Sequence, residues 1–262
     1  METVSVTVDL LILLFFTGCG AGFVDSIAGG GGLIALPVIL ATGVPPQLAL
    51  GTNKFQASFG SFSAAYNFIQ KGEVEIRKCG IGILFTLIGA AVGSVAVQLI
   101  SKELLRHAIP VMLLGVLAYT ALSRGLGDQD RPQRMPTQPF YILFGLLLGG
   151  YDGFFGPGTG SFWTAALVSL LGYNLTRASG YTRVMNFTSN IVAFALFALG
   201  GNVLYSVGVS MAVGQFIGAR IGSGLAIRKG ARFIRPVFMA VVFVTILRLA
   251  YTNYAKAFFL AL

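Results

Sequence analysis

The sequence predicts an all-α polytopic membrane protein of two inverted-topology repeats, each a broken, re-entrant helical hairpin followed by three transmembrane helices. Three observations carry this prediction: the composition, a series of long uncharged stretches, and an internal duplication. Of 262 residues, 55% are hydrophobic and 10% charged, whereas a soluble domain carries about 25% charged residues. Mean hydropathy is +0.81. Eighteen basic and nine acidic side chains are too few to cover a soluble fold this rich in Leu, Ile, Val, Phe and Ala. The same numbers exclude a disordered chain, and two cysteines, Cys19 and Cys79, exclude a disulfide scaffold.

A membrane helix needs roughly 20 mostly apolar residues. Uncharged stretches run over Ser26–Asn53, Cys79–Ser101, His107–Ser123, Gly153–Thr176 and Val184–Ala219. The last, of 36 residues, exceeds one span, and Gly200-Gly201-Asn202 supplies a break. The reading is about eight passes plus two shorter pieces. Helices are expected at 8–27, 33–43, 46–69, 79–101 and 104–123, then at 139–155, 160–172, 175–199, 203–227 and 232–252. Residues 1–123 form the first repeat, 124–138 a polar linker rich in Arg, Asp, Gln and Pro, and 139–262 the second repeat. Glu2 and Asp9, with no Lys or Arg before the first apolar run, argue against a cleaved leader.

The duplication is read by self-comparison. Gly22 to Gly32 (G-F-V-D-S-I-A-G-G-G-G) is echoed at Gly149 to Gly160 (G-G-Y-D-G-F-F-G-P-G-T-G), pairing Asp25 with Asp152, Gly29 with Gly156 and Gly31 with Gly158. Ala49-Leu50-Gly51-Thr52-Asn53-Lys54 matches Ala178-Ser179-Gly180-Tyr181-Thr182-Arg183, and Gly89-Ala90-Ala91-Val92-Gly93-Ser94 matches Gly218-Ala219-Arg220-Ile221-Gly222-Ser223. Pro110 and Pro236 are expected to open the last helix of each half. The loop from Lys71 to Lys78 holds three basic residues, while its repeat partner, Gly200 to Tyr205, holds none. Placing the first inside and the second outside inverts the halves. That choice also puts Arg124, Arg131, Arg134 and the Arg228-to-Arg235 turn inside, leaving mainly Lys102, Arg106 and Lys256 outside, with both termini outside. The net charge of +9 then reflects cytoplasmic loops and no nucleic-acid partner.

Inverted repeats with interrupted helices at matching positions are the pattern of secondary transporters. A glycine-rich break at membrane depth is tolerated where it is buried in protein or lines a cavity, and the half-helix that follows it favours an anion. Gly30, Gly31 and Gly32 in the first break, and Gly158, Thr159 and Gly160 in the second, are therefore expected to contact a substrate; the alternative is close helix packing. Lys54 and Arg183 occupy equivalent places in uncharged runs, and an intramembrane cation faces a partner or a cavity. With two half-helix N-termini, they predict a net positive site for a small anion; the alternative is snorkelling. Asn53, Gln56, Thr182 and Asn186 lie one to three residues away and offer neutral donors. Asp25 and Asp152 are the only acids at membrane depth, and either carry a coupling proton or pair with Lys54, Arg183 or Arg220. Arg220, where the first half has Ala91, serves either the substrate or such a pair. His107 reads as a surface or cap residue and Trp163 as packing. No metal-ligand spacing, catalytic constellation or phosphate-binding loop is visible, so neither an enzyme, a metal site nor a cofactor is expected. The small-xxx-small pairs Gly89/Gly93 and Gly218/Gly222 are expected to pack helices within one subunit, and a homo-oligomer stays open.

These residues carry a resemblance. G-F-V-D-S-I-A-G-G-G-G-L (22–33), A-L-G-T-N-K-F-Q-A (49–57), Y-D-G-F-F-G-P-G-T-G-S-F (151–162), G-Q-F-I-G-A-R-I-G-S (214–223) and I-R-P (234–236) resemble the TauE/SafE family of bacterial membrane transporters over essentially the whole chain. The resemblance implies secondary export, without ATP, of a small sulfur-containing anion such as sulfite or an organosulfonate (sulfoacetate), driven by the proton gradient or the membrane potential. It carries over to Asp25, Gly29–Gly32, Asn53, Lys54, Gln56, Asp152, Gly156–Gly160 and Arg220. The expectation is thus an inner-membrane carrier working by alternating access, with the lipid bilayer and a small anion as its partners. The competing readings are a carrier for a carboxylate or a cation, and a channel.

Overall fold

The computed structural model describes residues 7–122, 129–230 and 233, with the side chains of 117–122 left aside. The expected helix at 232–252, Arg124, Pro236 and Lys256 therefore fall essentially outside the described residues. Within these, nine α-helices follow in order: α1 (Val8–Ala28), α2 (Gly31–Ala41), α3 (Pro46–Gln70), α4 (Gly80–Gln98), α5 (Lys102–Leu122), α6 (Thr137–Phe154), α7 (Thr159–Leu170), α8 (Leu175–Leu199) and α9 (Tyr205–Lys229). A 3-10 turn, Ile76–Cys79, leads into α4.

Local chemistry explains the boundaries. The Thr7 hydroxyl accepts from the Leu10 N–H at the start of α1, and Asn174 accepts from the Arg177 N–H at the start of α8. Pro46 opens α3, where its missing N–H costs nothing. The helix α1 stops at Gly29, which takes φ +82° and returns its N–H to the Asp25 carbonyl. One expectation is corrected here. Pro110 does not open a helix but lies within α5, eight residues beyond Lys102.

The protein is a multi-pass membrane protein by its helices. Val8–Ala28, Ile76–Gln98 and Leu175–Leu199 are each long and apolar enough to cross a bilayer. The 25-residue α3 is less apolar because it turns Thr52, Asn53, Lys54, Gln56, Ser58 and Asn67 inward, all buried.

Two pairs of parallel helices frame the molecule. On α1 and α9, Gly18 faces the Met211 backbone and Gly22 faces Gln215, while Gly218 lies on Cys19 and Gly222 on Phe23. On α6 and α4, Gly149 faces Thr86 and Gly153 faces Ala90, while Gly89 lies on Leu146 and Gly93 on Gly150. A Cβ at any of these glycines would strike backbone, and the Gln215 side chain as well at Gly22 and the Ser26 hydroxyl at Gly222. Absence of the side chain is what lets the helices touch. Both small-xxx-small pairs are thus spent inside the chain.

At one end, the turns α2–α3, α4–α5 and α8–α9 meet. Gln47 Nε2 donates to the Ile100 carbonyl at 3.0 Å, Asn202 Nδ2 to Gln98 Oε1 at 3.0 Å, and the Leu204 N–H to Thr52 Oγ1 at 2.9 Å. At the other end, the loop before α4, the α7–α8 turn and residues 129–135 meet. The Glu75 N–H donates to Tyr181 OH at 3.3 Å, the Arg131 N–H to the Gly172 carbonyl at 2.7 Å, and the Arg134 N–H to the Leu170 carbonyl at 2.8 Å. Asp130 accepts from the Asn174 N–H at 2.7 Å. This second end is basic, with Lys71, Arg77, Lys78, Arg131, Arg134 and Arg177 against Glu73, Glu75 and Asp130; the first balances Lys102 and Arg106 against Asp9 and Glu103. Lys78 hydrogen-bonds Glu75 at 2.7 Å and holds its carboxyl below the usual range, though so exposed a pair adds little stability.

The apolar core is in two parts. One gathers Leu14, Ile39, Leu50, Leu105, Ala193 and Phe197; the other gathers Phe68, Phe140, Trp163, Leu171, Tyr181 and Met185. Along α3, Asn53 and Lys54 fall between Leu50 and Phe68; along α8, Asn186 and Asn190 fall between Met185 and Ala193. A polar layer thus separates two apolar ones.

Candidate functional site

That layer is built on the two helix breaks. Gly29 and Gly160 touch through their backbones: a Cβ on Gly29 would lie 2.5 Å from the Gly160 carbonyl carbon, and one on Gly160 2.6 Å from Gly29 Cα. Ser161 Oγ donates to the Ala28 carbonyl at 3.1 Å, fastening the start of α7 to the end of α1. Gly32 faces Pro157. The second break passes through Gly156 (φ +99°) and Gly158 (φ +83°), conformations that L side chains rarely adopt.

Four charges surround the crossing, and they pair across the chain. Lys54 Nζ of α3 lies 2.5 Å from Asp152 Oδ1 of α6, with side chains 1% and 3% exposed. Arg183 Nη1 of α8 lies 2.9 Å from Asp25 Oδ2 of α1, with side chains 0% and 19% exposed. The remaining carboxylate oxygens are also held. Ser189 Oγ donates to Asp152 Oδ2, and the Gly31 N–H donates to Asp25 Oδ1 at 3.1 Å. Arg183 Nη1 reaches the Asp25 carbonyl as well, and its Nε donates to the Ser179 carbonyl at 3.4 Å. Arg183 Nη2, fully buried, has no hydrogen-bond partner among the described residues.

Between the pairs lies a cavity with about 20 Å³ open to the centre of a water molecule. Its walls are Asp25, Gly29, Gly32, Asn53, Lys54, Ala57, Asp152, Gly156, Gly158, Gly160, Asn186, Asn190 and Gln215. About 10–15 Å³ on this measure admits one water, so the four heavy atoms of sulfite need side chains to move aside.

The expected site residues divide accordingly. Gly32, Asn53, Lys54, Gly158, Gly160, Asn186, Asp25 and Asp152 line one cavity. Gly30, Gly31, Gln56, Thr159, Thr182 and Arg183 lie outside its wall. Gly31 is engaged by Asp25, Gln56 Nε2 donates to Asn53 Oδ1 at 2.9 Å, Thr159 Oγ1 turns back to the Gly156 carbonyl at 2.6 Å, and Thr182 Oγ1 meets Thr164 Oγ1 at 3.1 Å. Arg183 sits directly behind Gly160: a Cβ there would lie 2.9 Å from its Nη2 and 3.1 Å from Asn186 Nδ2.

Two expectations are corrected. The site is not net positive, because each cation has a carboxylate of its own and the four charges cancel. Arg220 is not in the site: it is exposed on the outer face of α9, with its guanidinium 5.9 Å from the Tyr66 ring centre. Gly218, Ala219 and Gly222 take the inner face of that helix, which leaves Arg220 turned away. Sequence reasoning missed Asn190, Gln215 and Ser189. Asn190 was readable, lying four residues after Asn186 and seven after Arg183 on one helical stripe. Ser189 carried no such signal.

Comparison with known proteins decides the family. The model of the family described as "Sulfite exporter TauE/SafE" matches residues 14–249. The chain belongs to the TauE/SafE family. Among its relatives, a "Probable membrane transporter protein" of Haemophilus influenzae is 44% identical over 248 residues, covering 93% of this chain and 96% of the relative. "Probable membrane transporter protein YfcA" of Escherichia coli K12 is 42% identical, covering 94% and 92%. The Sinorhizobium protein ORF9, also named a probable membrane transporter, is 40% identical, covering 92% of each. No solved structure matches the chain. The TauE/SafE assignment agrees with the helical architecture of the described residues and with four charges paired around two helix breaks.

Proposed function

We propose that the protein is a secondary carrier that exports a small sulfur-containing anion, sulfite or an organosulfonate, by alternating access. The observation that carries this reading is the crossing of the ion pairs: Lys54 of the first half on Asp152 of the second, and Arg183 of the second on Asp25 of the first. An oxyanion arriving between the breaks competes with a carboxylate for its paired cation. The trigonal oxygens of a sulfonate or sulfite match the fork of a guanidinium better than a single point charge does. Because each pair ties one half to the other, exchanging carboxylate for substrate loosens the contact that rocking must break. Substrate binding and motion are then one event.

Two inverted repeats are part of the same reading, and matching contacts support them. The contact of Gly22 with Gln215 has its counterpart in Gly149 with Thr86, and Gly222 with Phe23 has its counterpart in Gly93 with Gly150. The first hairpin returns to the turns around Ile100 and Asn202, the second to those around Arg131 and Gly172. Applying the positive-inside rule puts the basic end in the cytoplasm of a bacterial inner membrane and the start of α1 on the periplasmic side.

The test is uptake of labelled sulfite and sulfoacetate into proteoliposomes holding the purified chain. Thermal unfolding with taurine, thiosulfate, sulfate, short dicarboxylates, Na⁺ and K⁺ accompanies it. Saturable uptake of one sulfur anion, lost in Lys54→Ala and Arg183→Ala, is the expected result. A ligand at 100 times its Kd stabilises by about 2.7 kcal/mol, which such melts detect. Flux that never saturates would instead indicate a channel, and stabilisation by Na⁺ alone a cation carrier.

A further inference from the structure

We propose that the two ion pairs differ in role: Lys54–Asp152 stays closed while the anion binds, whereas Arg183–Asp25 opens, giving its guanidinium to the anion while Asp25 takes up one proton. The proposal rests on the reading of the chain as an anion carrier. Asp152 is closed on both oxygens by side chains, Lys54 and Ser189, and is 3% exposed. Releasing it would strand a buried carboxylate on one hydroxyl, at a large desolvation cost. Both carboxylates line the cavity, but Asp25 is 19% exposed, and one of its oxygens stays on the Gly31 N–H if Arg183 leaves. Arg183 Nη1 holds Asp25, while Nη2 has no hydrogen-bond partner among the described residues and lies with Asn186 Nδ2 behind Gly160, just outside the cavity wall. An anion seated at Gly160 therefore lies next to the unpartnered edge of the guanidinium, which moves in from behind the wall to hold it.

Electrical balance in the site calls for the proton. Asp25, Asp152, Lys54 and Arg183 sum to zero, so a monoanion entering alone would leave one uncompensated charge in a low-dielectric layer. Facing Asp25 are Arg183 from α8 and, across the cavity, Lys54 from α3 and Asp152 from α6. The helices α2 and α7 contain no titratable residue, and Arg220 of α9 points outward. The step is a simple proton uptake: water reaching the cavity delivers a proton to the carboxylate oxygen that Arg183 gives up, and Asp25 becomes a neutral carboxylic acid.

The experiment is calorimetric titration of methanesulfonate, whose charge is fixed throughout, into the purified full chain between pH 6 and 8. Buffers of different ionisation heat count the protons taken up per anion bound. Wild type is expected to take up about one, with its apparent Kd rising about tenfold per pH unit once Asp25 is ionised. Asp25→Asn is expected to take up none and to bind with a flat pH profile. Ser189→Ala is expected to keep a count of about one, and Asp152→Asn to melt at a clearly lower temperature. Binding by wild type without proton uptake, uptake surviving in Asp25→Asn, loss of it in Ser189→Ala, or an unchanged melting temperature in Asp152→Asn overturns the proposal. If neither methanesulfonate nor sulfite binds wild type at any pH, the anion reading itself falls, a result distinct from binding without a proton.

Discussion

Buried charges dominate at the scale of single residues. Lys54→Met leaves Asp152 with only the Ser189 hydroxyl, and removing one member of a buried pair costs about 3–5 kcal/mol. The double variant Lys54→Met/Asp152→Leu, which buries neither charge, is expected to recover most of that loss in unfolding measured in detergent. A loss below about 1 kcal/mol in the single variant would mean that water reaches the carboxylate. The four charges were legible in the sequence because each interrupts or ends an uncharged run. That the acids pair with such cations was also readable, but which takes which was not, since that depends on how α6 and α8 cross α3 and α1, which no local pattern encodes. Arg220 passed the same test and is elsewhere. Its position two residues beyond Gly218, about 200° around the helix, was the signal that it faces away.

At the scale of helices, glycines two positions apart in α1 have opposite duties. Gly18 and Gly22 lie against α9, while a Cβ on Gly20 would meet nothing within 4 Å. Gly22→Ala is expected to cost about 1–3 kcal/mol through overpacking, and Gly20→Ala to gain about 0.5–1 kcal/mol from helix propensity. Thermal unfolding of the two variants side by side reads the contrast, and equal effects would mean that α1 is not seated on α9. The helices themselves were largely legible: apolar runs and glycine breaks located nine of them to within a few residues, α5 and α6 included. Pro110 misled because a proline can sit inside a helix when the turn around it gives up one hydrogen bond.

At the scale of the molecule, the distribution of charge between the two ends predicts sidedness. In a background with Cys19→Ala and Cys79→Ala, Arg77→Cys is expected to react with an impermeant thiol reagent only from the cytoplasmic side, and Lys102→Cys only from the periplasmic side. Both native side chains are exposed, so labelling of the two from the same face would refute the topology. The crossed pairs also bear on biosynthesis. As the chain leaves the ribosome, Asp25 and Lys54 enter the bilayer well before residues 152 and 183 have been made. Until then neither has its native counter-charge, and the opposite charge that either can find at membrane depth is the other. The newborn first half must therefore hold a temporary Asp25–Lys54 pairing or remain hydrated, and give that up when α6 and α8 arrive. Translation order makes the second half the folding partner of the first.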